Sequence, residues 1–332
     1  MAADVVPSSV PRVSIGLPVH NGMPLLPEAL ESLLAQEVAE LEIIVSDNAS
    51  DDDTESYCRT VSEKDTRVRY SRNTENVGAA ANFGRALSLA RAPYFAWAAH
   101  DDRYHPAFIS RCLARLEECC GSALCVPAHR RLDEQGRLVS VREEPRGLAS
   151  LDLETRLRAY LWRRGWLTIY GLWRTDFLNR IGPPPPVWGC DVILVWKALL
   201  LAPAEVLSMP LADYRVVRGK SADSVMRGIT GSATTVHFPH SGMVASLRQA
   251  SREVALSEAD TRIANHVLRS WVLTHHYREL IATDFIEESR RLRGRGSAVR
   301  AAASLVPAAL FGPRMALRGA RQAVSGQLTR RK

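Results

Sequence analysis

The chain has 332 residues, 46% hydrophobic and 24% charged, which excludes a disordered polypeptide and allows one large domain or two ordinary ones. Its net charge of +7 is uneven: residues 290–332 hold eleven Arg and Lys and no Asp or Glu, so the remainder is mildly acidic and does not make a basic nucleic-acid-binding body. No run reaches the ~18 apolar residues of a membrane span and the N-terminus lacks a secretory signal pattern, so a cytoplasmic location is expected.

The first hundred residues alternate strand-like and helix-like segments. "RVSIGLPV" (12–19) reads as a buried strand, and "LLPEALESLLAQE" (25–37) has helical spacing. "LEIIVS" (41–46) predicts a second strand, "DTESYCRTVSE" (53–63) a helix and "RVRYSR" (67–72) a short strand. The Ala-rich "GAAANFGRALSLA" (78–90) predicts a third helix and "PYFAWAA" (93–99) a fourth strand. Strands alternating with helices of this length predict βαβ units and a parallel sheet. Ligands of such sheets bind beyond the carboxyl ends of the strands. Pro18–Asn21, Asp47–Ser50 and Asp101–Asp102 should therefore meet at one edge.

Further along, 105–120 is amphipathic, 122–140 predicts two strands joined by a turn at Glu134–Gly136, and a helix is expected near 151–161. The segment 168–203 holds a stiff four-proline loop, Pro183–Pro186, ahead of the helical run "DVILVWKALL". A strand is expected around 204–210, and the pattern is helical from about 245. The six cysteines (58, 112, 119, 120, 125, 190) show neither a disulfide framework nor zinc spacing. No phosphate-binding Gly-rich loop, Ser nucleophile elbow or zinc-peptidase pattern is present, and the histidine pair at 275–276 has no metal spacing.

Three acidic groups have the chemistry of a site. Asp47 ends a strand, where it can accept hydrogen bonds from a base or sugar, whereas Asp51–Asp53 read as ordinary turn and cap residues. Asp101 and Asp102 end an apolar strand as adjacent carboxylates, which repel unless a cation offsets them. Mg²⁺ and Mn²⁺ bind through such carboxylates together with phosphate oxygens. A helix cap near Pro106 explains one of the two acids but not both. Asp191 opens a helix after a Gly/Pro-rich loop, and both a general base and an N-cap fit that position.

Taken in order, "VSIGLPVHNGMPLLPEALESLLAQ", "LEIIVSDNASDDDT", "RNTENVGAAANFGRAL", "YFAWAAHDDRYHPAFI" and "YGLWRTDFLNRIGPPPPVWGCDVILVWKALL" with "DYRV" resemble the family 2 glycosyltransferases over residues 12–217. The resemblance implies an α/β, GT-A (Rossmann-like) fold: a central, mostly parallel sheet flanked by helices, with a helical C-terminal extension. It implies a nucleotide-diphosphate-sugar donor, a divalent cation (Mg²⁺ or Mn²⁺) and transfer to an acceptor hydroxyl with inversion. Pro18 and Asn21 match positions where the first strand meets the nucleotide, and Asp47 matches the base-binding acid. Asn76, Gly78 and Asn82 flank the donor. Asp101 with Asp102 matches the second half of the Asp-x-Asp metal signature, Asp191 the catalytic base, and Arg215 a basic position near the diphosphate. The first aspartate of that signature is replaced here by Ala99.

The resulting organisation is an N-terminal tail (1–11), a GT-A domain (12–220), a helical region (221–289) and a basic tail (290–332). The tail mixes Arg with small apolar residues. Its apolar core of about eleven residues from 301 is too short to span a bilayer, so the tail is either a solvated terminus or a peripheral contact with an anionic membrane surface. The acceptor is a glycan, a lipid-linked or a small-molecule hydroxyl. Two other readings stay open: a nucleotidyltransferase, for which "PVHNGMP" lacks the basic loop, and a non-catalytic sugar-nucleotide-binding protein with a degenerate metal site.

Overall fold

The computed structural model describes residues 10–162, 167–215, 222–231, 239–254 and 257–273. Most of the N-terminal tail, the boundary at 220/221, the histidine pair and the basic tail lie outside the described residues.

β1 (Val13–Val19), β2 (Leu41–Asp47), β3 (Val68–Arg72) and β4 (Tyr94–Trp97) form a parallel block in the order β3-β2-β1-β4. Every residue of β1 and β2 is buried, as expected of strands covered by helices on both faces. α1 (Leu26–Leu34), α2 (Thr54–Lys64) and α3 (Ala79–Ser88) link these strands. Alternation along β4 divides its side chains between two cores. Phe95 and Trp97 join the core that holds Leu87 of α3, and Ala96 and Ala98 join the core that holds Leu26, Leu30 and Leu33 of α1.

Beyond β4 come β5 (Arg103–Tyr104), α4 (Phe108–Glu118), β6 (Leu124–Leu132), β7 (Leu138–Arg142), α5 (Leu153–Trp162), β8 (Leu172–Arg174), α6 (Thr175–Ile181), α7 (Cys190–Leu201) and β9 (Ala204–Arg215). The nine-stranded sheet runs β3-β2-β1-β4-β8-β6-β9-β5, with β7 paired to β6. β9 lies parallel to β6, while β8 is antiparallel to both β4 and β6. β5 and β8 have two and three residues, too few to show a hydrophobic period, and they join strands far apart in sequence.

α7 buries eight of its twelve residues, which makes it a core helix rather than an amphipathic one. α8 (Ala222–Thr230), α9 (Pro239–Glu253) and α10 (Glu258–Val272) complete the helical set among the described residues. Met243, Val244 and Leu247 of α9 and Val267, Leu268 and Trp271 of α10 share the core of α7. The indole N–H of Trp196 donates to Ser251 Oγ at 2.9 Å, tying α7 to α9. All six cysteines are free thiols. No helix of the described residues is long and apolar enough to cross a membrane.

Candidate active site

Three loops at the carboxyl edge of the parallel block are tied together by polar side chains. The Asn21 N–H donates to Ser50 Oγ at 2.9 Å, and Asn21 Oδ1 accepts from the Asp51 N–H at 3.0 Å. Asn21 holds a left-handed backbone (φ 54°), a conformation that Asn tolerates better than most residues. Ala49 is also left-handed (φ 59°), which places local strain in this loop. Asn48 joins β2 to the loop after β3: its Nδ2 donates to Asn76 Oδ1 at 2.8 Å, and its Oδ1 accepts from Asn73 Nδ2 at 2.9 Å and the Val77 N–H at 3.0 Å. Pro18 is buried in β1 opposite Ser46.

Asp47 is wholly buried and held by four donors. Ser50 donates through its N–H (2.9 Å) and hydroxyl (2.6 Å) to Oδ1, while Tyr70 OH and Arg72 Nη1 donate to Oδ2, each at 2.6 Å. Burial alone would push this carboxyl up, but these bonds outweigh it and hold it below the usual carboxylate range. The Asn82 amide is likewise engaged inside the protein: Nδ2 donates to the Ser46 carbonyl at 2.7 Å, and Oδ1 accepts from Ser46 Oγ at 2.7 Å and Asn73 Nδ2 at 3.2 Å. Asp47 and Asn82 thus build the loop scaffold with their polar atoms.

Gly78 caps α3 with φ 84° and is pressed against the end of α8. A Cβ there would lie 2.4 Å from the Thr230 carbonyl carbon and 2.5 Å from the Gly231 nitrogen. Gly231 (φ 74°) meets the reciprocal limit, with the Gly78 nitrogen at 2.7 Å and the Asn76 oxygen at 2.8 Å. Two backbones touch here without intervening side chains, so α8 packs directly on the Asn76–Gly78 loop. Gly78→Ala combines left-handed strain with a backbone clash and should destabilise by about 2–4 kcal/mol. Urea unfolding would measure that loss, and partial detachment of α8 would appear as new proteolytic cleavage within 222–231.

The acid pair sits where β4 approaches the end of β9. Asp102 is 4% exposed, and its Oδ1 accepts the Arg215 N–H at 2.9 Å. Burial, with the neighbouring Asp101 charge, pushes Asp102 up to about 8, against the partial relief of that bond. Asp101 is partly exposed and its carboxylate has no side-chain partner among the described residues. The Arg215 guanidinium spans the turn, donating to the Asp101 carbonyl at 2.5 Å and to Glu28 Oε2 at 2.6 Å. Arg103 extends this network from Glu28 (3.0 Å) to Asp213 (3.2 Å).

Asp191 lies in the first turn of α7, after Gly189 (φ 73°), where a Cβ would fall 2.3 Å from Met243 Sδ of α9. α9 therefore packs directly on the turn that presents the carboxylate. Burial raises Asp191 to about 6, partly offset by the helix-start N–H groups. The Tyr170 phenol is pushed up by burial and, to a lesser extent, by the charges of Asp102, Asp191 and Asp101. Tyr170 packs on Tyr214, with centroids 5.7 Å apart, and Tyr214 packs on His129 at 5.0 Å. Buried Glu144 completes this wall, accepting from Thr168 Oγ1 at 3.4 Å. The Tyr160 phenol feels both Asp191 and Glu144. Tyr170 and Tyr214 stand in the segments "YGLWRTDFL" and "DYRV" without being singled out there, and Glu144 and Tyr160 lie outside every motif.

Among the described residues no group of three or more His, Cys, Asp or Glu side chains forms a metal cluster. Asp101 and Asp102 still fit a hard divalent cation. They offer two carboxylates, one without a side-chain partner and one whose burial is costly when ionised, and phosphate oxygens and water commonly complete such a shell.

The parallel block and the mixed distal half together have the architecture of a GT-A fold. Residues 14–169 of the chain match the family model for glycosyl transferase family 2. It is similar to an uncharacterized glycosyltransferase of Rickettsia typhi, 38% identical over 96 residues, 29% of each chain. It is 30% identical to the chondroitin synthase of Escherichia coli over 132 residues, 40% of this chain and 19% of that one. The match to the GalNAc(5)-diNAcBac-PP-undecaprenol beta-1,3-glucosyltransferase of Campylobacter jejuni is 30% over 110 residues, 33% of this chain and 36% of that one. The chain thus spans well under half the length of these curated relatives. Among solved structures, residues 1–349 of S. aureus TarS with UDP-GlcNAc superimpose with a TM-score of 0.64 at 16% identity, covering 96% of this chain and 92% of that one. The mannosyltransferase PcManGT of Pyrobaculum calidifontis, with GDP-Man and Mn²⁺, gives 0.52 at 18% identity, covering 96% and 88%. These likenesses fix the fold. Asp191 and Arg215 lie beyond the family-matched region.

Proposed function

We propose that the protein transfers a sugar from a nucleotide-diphosphate donor to an acceptor hydroxyl with inversion, using Asp191 as the general base. The observation that carries this reading is the placement of the Asp101–Asp102 pair against the end of β9 and of Asp191 in the first turn of α7, with the charge of all three felt at the buried Tyr170 phenol. One group suits a cation and diphosphate, the other suits a proton acceptor.

Asp191, raised to about 6 by burial, is deprotonated at neutral pH yet basic enough to take the acceptor hydroxyl's proton as that oxygen attacks the anomeric carbon. Asp101 and Asp102 would hold the divalent cation, which when bound neutralises charge developing on the departing nucleoside diphosphate. Arg215 fixes the turn of the acid pair through its backbone N–H and guanidinium. The Asn21, Asp47, Asn48 and Asn76 network shapes the loops that receive the nucleotide, with Pro18 beneath it and Gly78 and Asn82 holding α3 in place. A single displacement gives inversion.

TarS was solved with UDP-GlcNAc and PcManGT with GDP-Man, which supports a nucleotide-diphosphate-sugar donor. The Campylobacter relative is named for an undecaprenol-linked acceptor, so lipid-linked glycans belong in the acceptor panel. The basic tail at 290–332 would place the protein peripherally on an anionic membrane for such an acceptor.

Incubation with a panel of nucleotide sugars and Mn²⁺ should release nucleoside diphosphate from one donor class, and faster with a matching acceptor. Binding without release would favour the non-catalytic reading, to which Ala99 lends support. Release of pyrophosphate from a nucleoside triphosphate and a sugar phosphate would favour a nucleotidyltransferase.

A further inference from the structure

Three arginine Nε atoms are buried without a hydrogen-bond acceptor among the described residues, those of Arg85, Arg103 and Arg131. Arg85 and Arg103 satisfy their guanidinium groups through Nη: Arg85 on Asn73 and, at 2.6 Å, on Ser71, and Arg103 on Glu28 at 3.0 Å and Asp213 at 3.2 Å. Arg131 makes no hydrogen bond or ion pair from its guanidinium to any described residue. The nearby acid on β9, Asp213, is engaged by Arg130 at 2.6 Å, and alternation along β6 sets Arg130 and Arg131 on opposite faces. A guanidinium partly withdrawn from water is ordinarily matched by an anion, and its fork suits phosphate or carboxylate.

Arg131 shares its face of the sheet with the residues that register sets beside it. On β9 that residue is Tyr214, which stacks on Tyr170 and His129 and immediately precedes Arg215, whose N–H holds Asp102. On β7 it is Ser140, and Arg142 follows on the same face, opposite His129. The bulge at Val139, where pairing steps from Arg131 with Ser140 to Leu132 with Leu138, lies beyond both pairs and leaves them in register. Arg142 is exposed and has no acidic partner among the described residues, so two uncompensated cations flank His129. Arg131 and Tyr214 are one strand spacing apart, about 4.8 Å. Strand order puts β6 and β9 beyond β4, on the far side from the β1, β2 and β3 loops.

We propose that Arg131, with Arg142 beside it, forms an oxyanion subsite for the acceptor, which therefore carries a phosphate or a carboxylate as well as the hydroxyl that reacts. The inference rests on the transferase reading, in which the β1, β2 and β3 loops take the nucleotide and the acid pair takes the cation and diphosphate. An anion at Arg131 lies past that end of the donor and belongs to the second substrate. Arg131 supplies selectivity through its planar fork, fixed by its partly buried side chain. Arg142, in water, supplies attraction that salt screens.

Probes matched in their hydroxyls and differing in charge test this: glycerol, glycerol 3-phosphate and glycerate, and methyl glucoside, glucose 6-phosphate and glucuronate. Calorimetric binding to the full chain needs no turnover. The charged probes should bind the wild type better than the neutral ones, and Arg131→Gln should weaken them by about 10–100-fold, the range of a hydrogen-bonded charge. Arg131→Lys should recover part of that loss. Arg142→Gln, at an exposed position that folding tolerates, should cost several-fold at low salt and little at high salt. In transfer assays with the active donor, the charged probes should be preferred as acceptors, and Arg131→Gln should erase the preference. The better of the phosphate and carboxylate members identifies the anion. Equal binding of charged and neutral probes by the wild type, or binding indifferent to both arginine variants, would overturn the subsite. A loss confined to the nucleotide sugar would place Arg131 on the donor instead. Arginine-dependent probe binding in a chain that turns over no donor would keep the anion site but remove its assignment to an acceptor, along with the transferase reading.

Discussion

Asp191→Asn should lower kcat by about 10²–10⁴-fold, the range attributable to a positioned general base, while leaving donor affinity unchanged. The substitution keeps shape and hydrogen-bonding capacity at the start of α7, so the helix and its contact with α9 should survive. What disappears is a proton acceptor raised to about 6 by burial. In the wild type, kcat/KM should rise with pH through about 6 and then level off, because only ionised Asp191 can take the acceptor proton. The residual rate of the Asn variant should lack that acid limb. Donor binding, followed by titration with the nucleotide sugar, separates loss of chemistry from loss of the site. An Asn variant with near-normal turnover would remove Asp191 from the mechanism.

The parallel block was legible because its strands are continuous apolar runs with capped helices between them; 12–19 and 41–46 differ from β1 and β2 by a single residue. The 122–140 hairpin followed from its central turn. β5, β8 and α6 were not legible, since two or three residues of strand and seven of helix have no period of their own and form only against partners distant in sequence. The same reasoning applies to the site. Asp101, Asp102 and Asp191 stand out because each ends an apolar run or opens one. Asp47 and Asn82 sit in the expected place, but their polar atoms close on Ser50, Tyr70, Arg72, Ser46 and Asn73. Gly78 answers to a contact with Gly231 across 153 positions of chain. Tyr170, stacked on Tyr214, and buried Glu144 are not singled out in a linear string because their contacts are made across the fold.

Asp102→Asn should change the pH dependence of stability in a definite direction. In the cation-free protein Asp102 keeps its proton to about pH 8 when folded, whereas an unfolded aspartate loses it near pH ~4. Between those values the folded state binds the extra proton, so wild-type stability declines as pH rises across the window. The contribution is fully present below pH ~4 and lost once the pH passes the folded value. Asn offers Arg215 the same oxygen acceptor without an ionising proton, so thermal unfolding of the variant should lack this decline. Above pH ~8 the variant should be the more stable by a few kcal/mol. Mn²⁺ should act oppositely on the two proteins. A cation held by both carboxylates stabilises the folded wild type by mass action and offsets the very charge that burial penalises. The Asn variant, left with Asp101 alone, should gain far less. Equal pH slopes in the two proteins would show that Asp102 is not the strained acid of this turn. An equal response to Mn²⁺ would move the cation away from the acid pair.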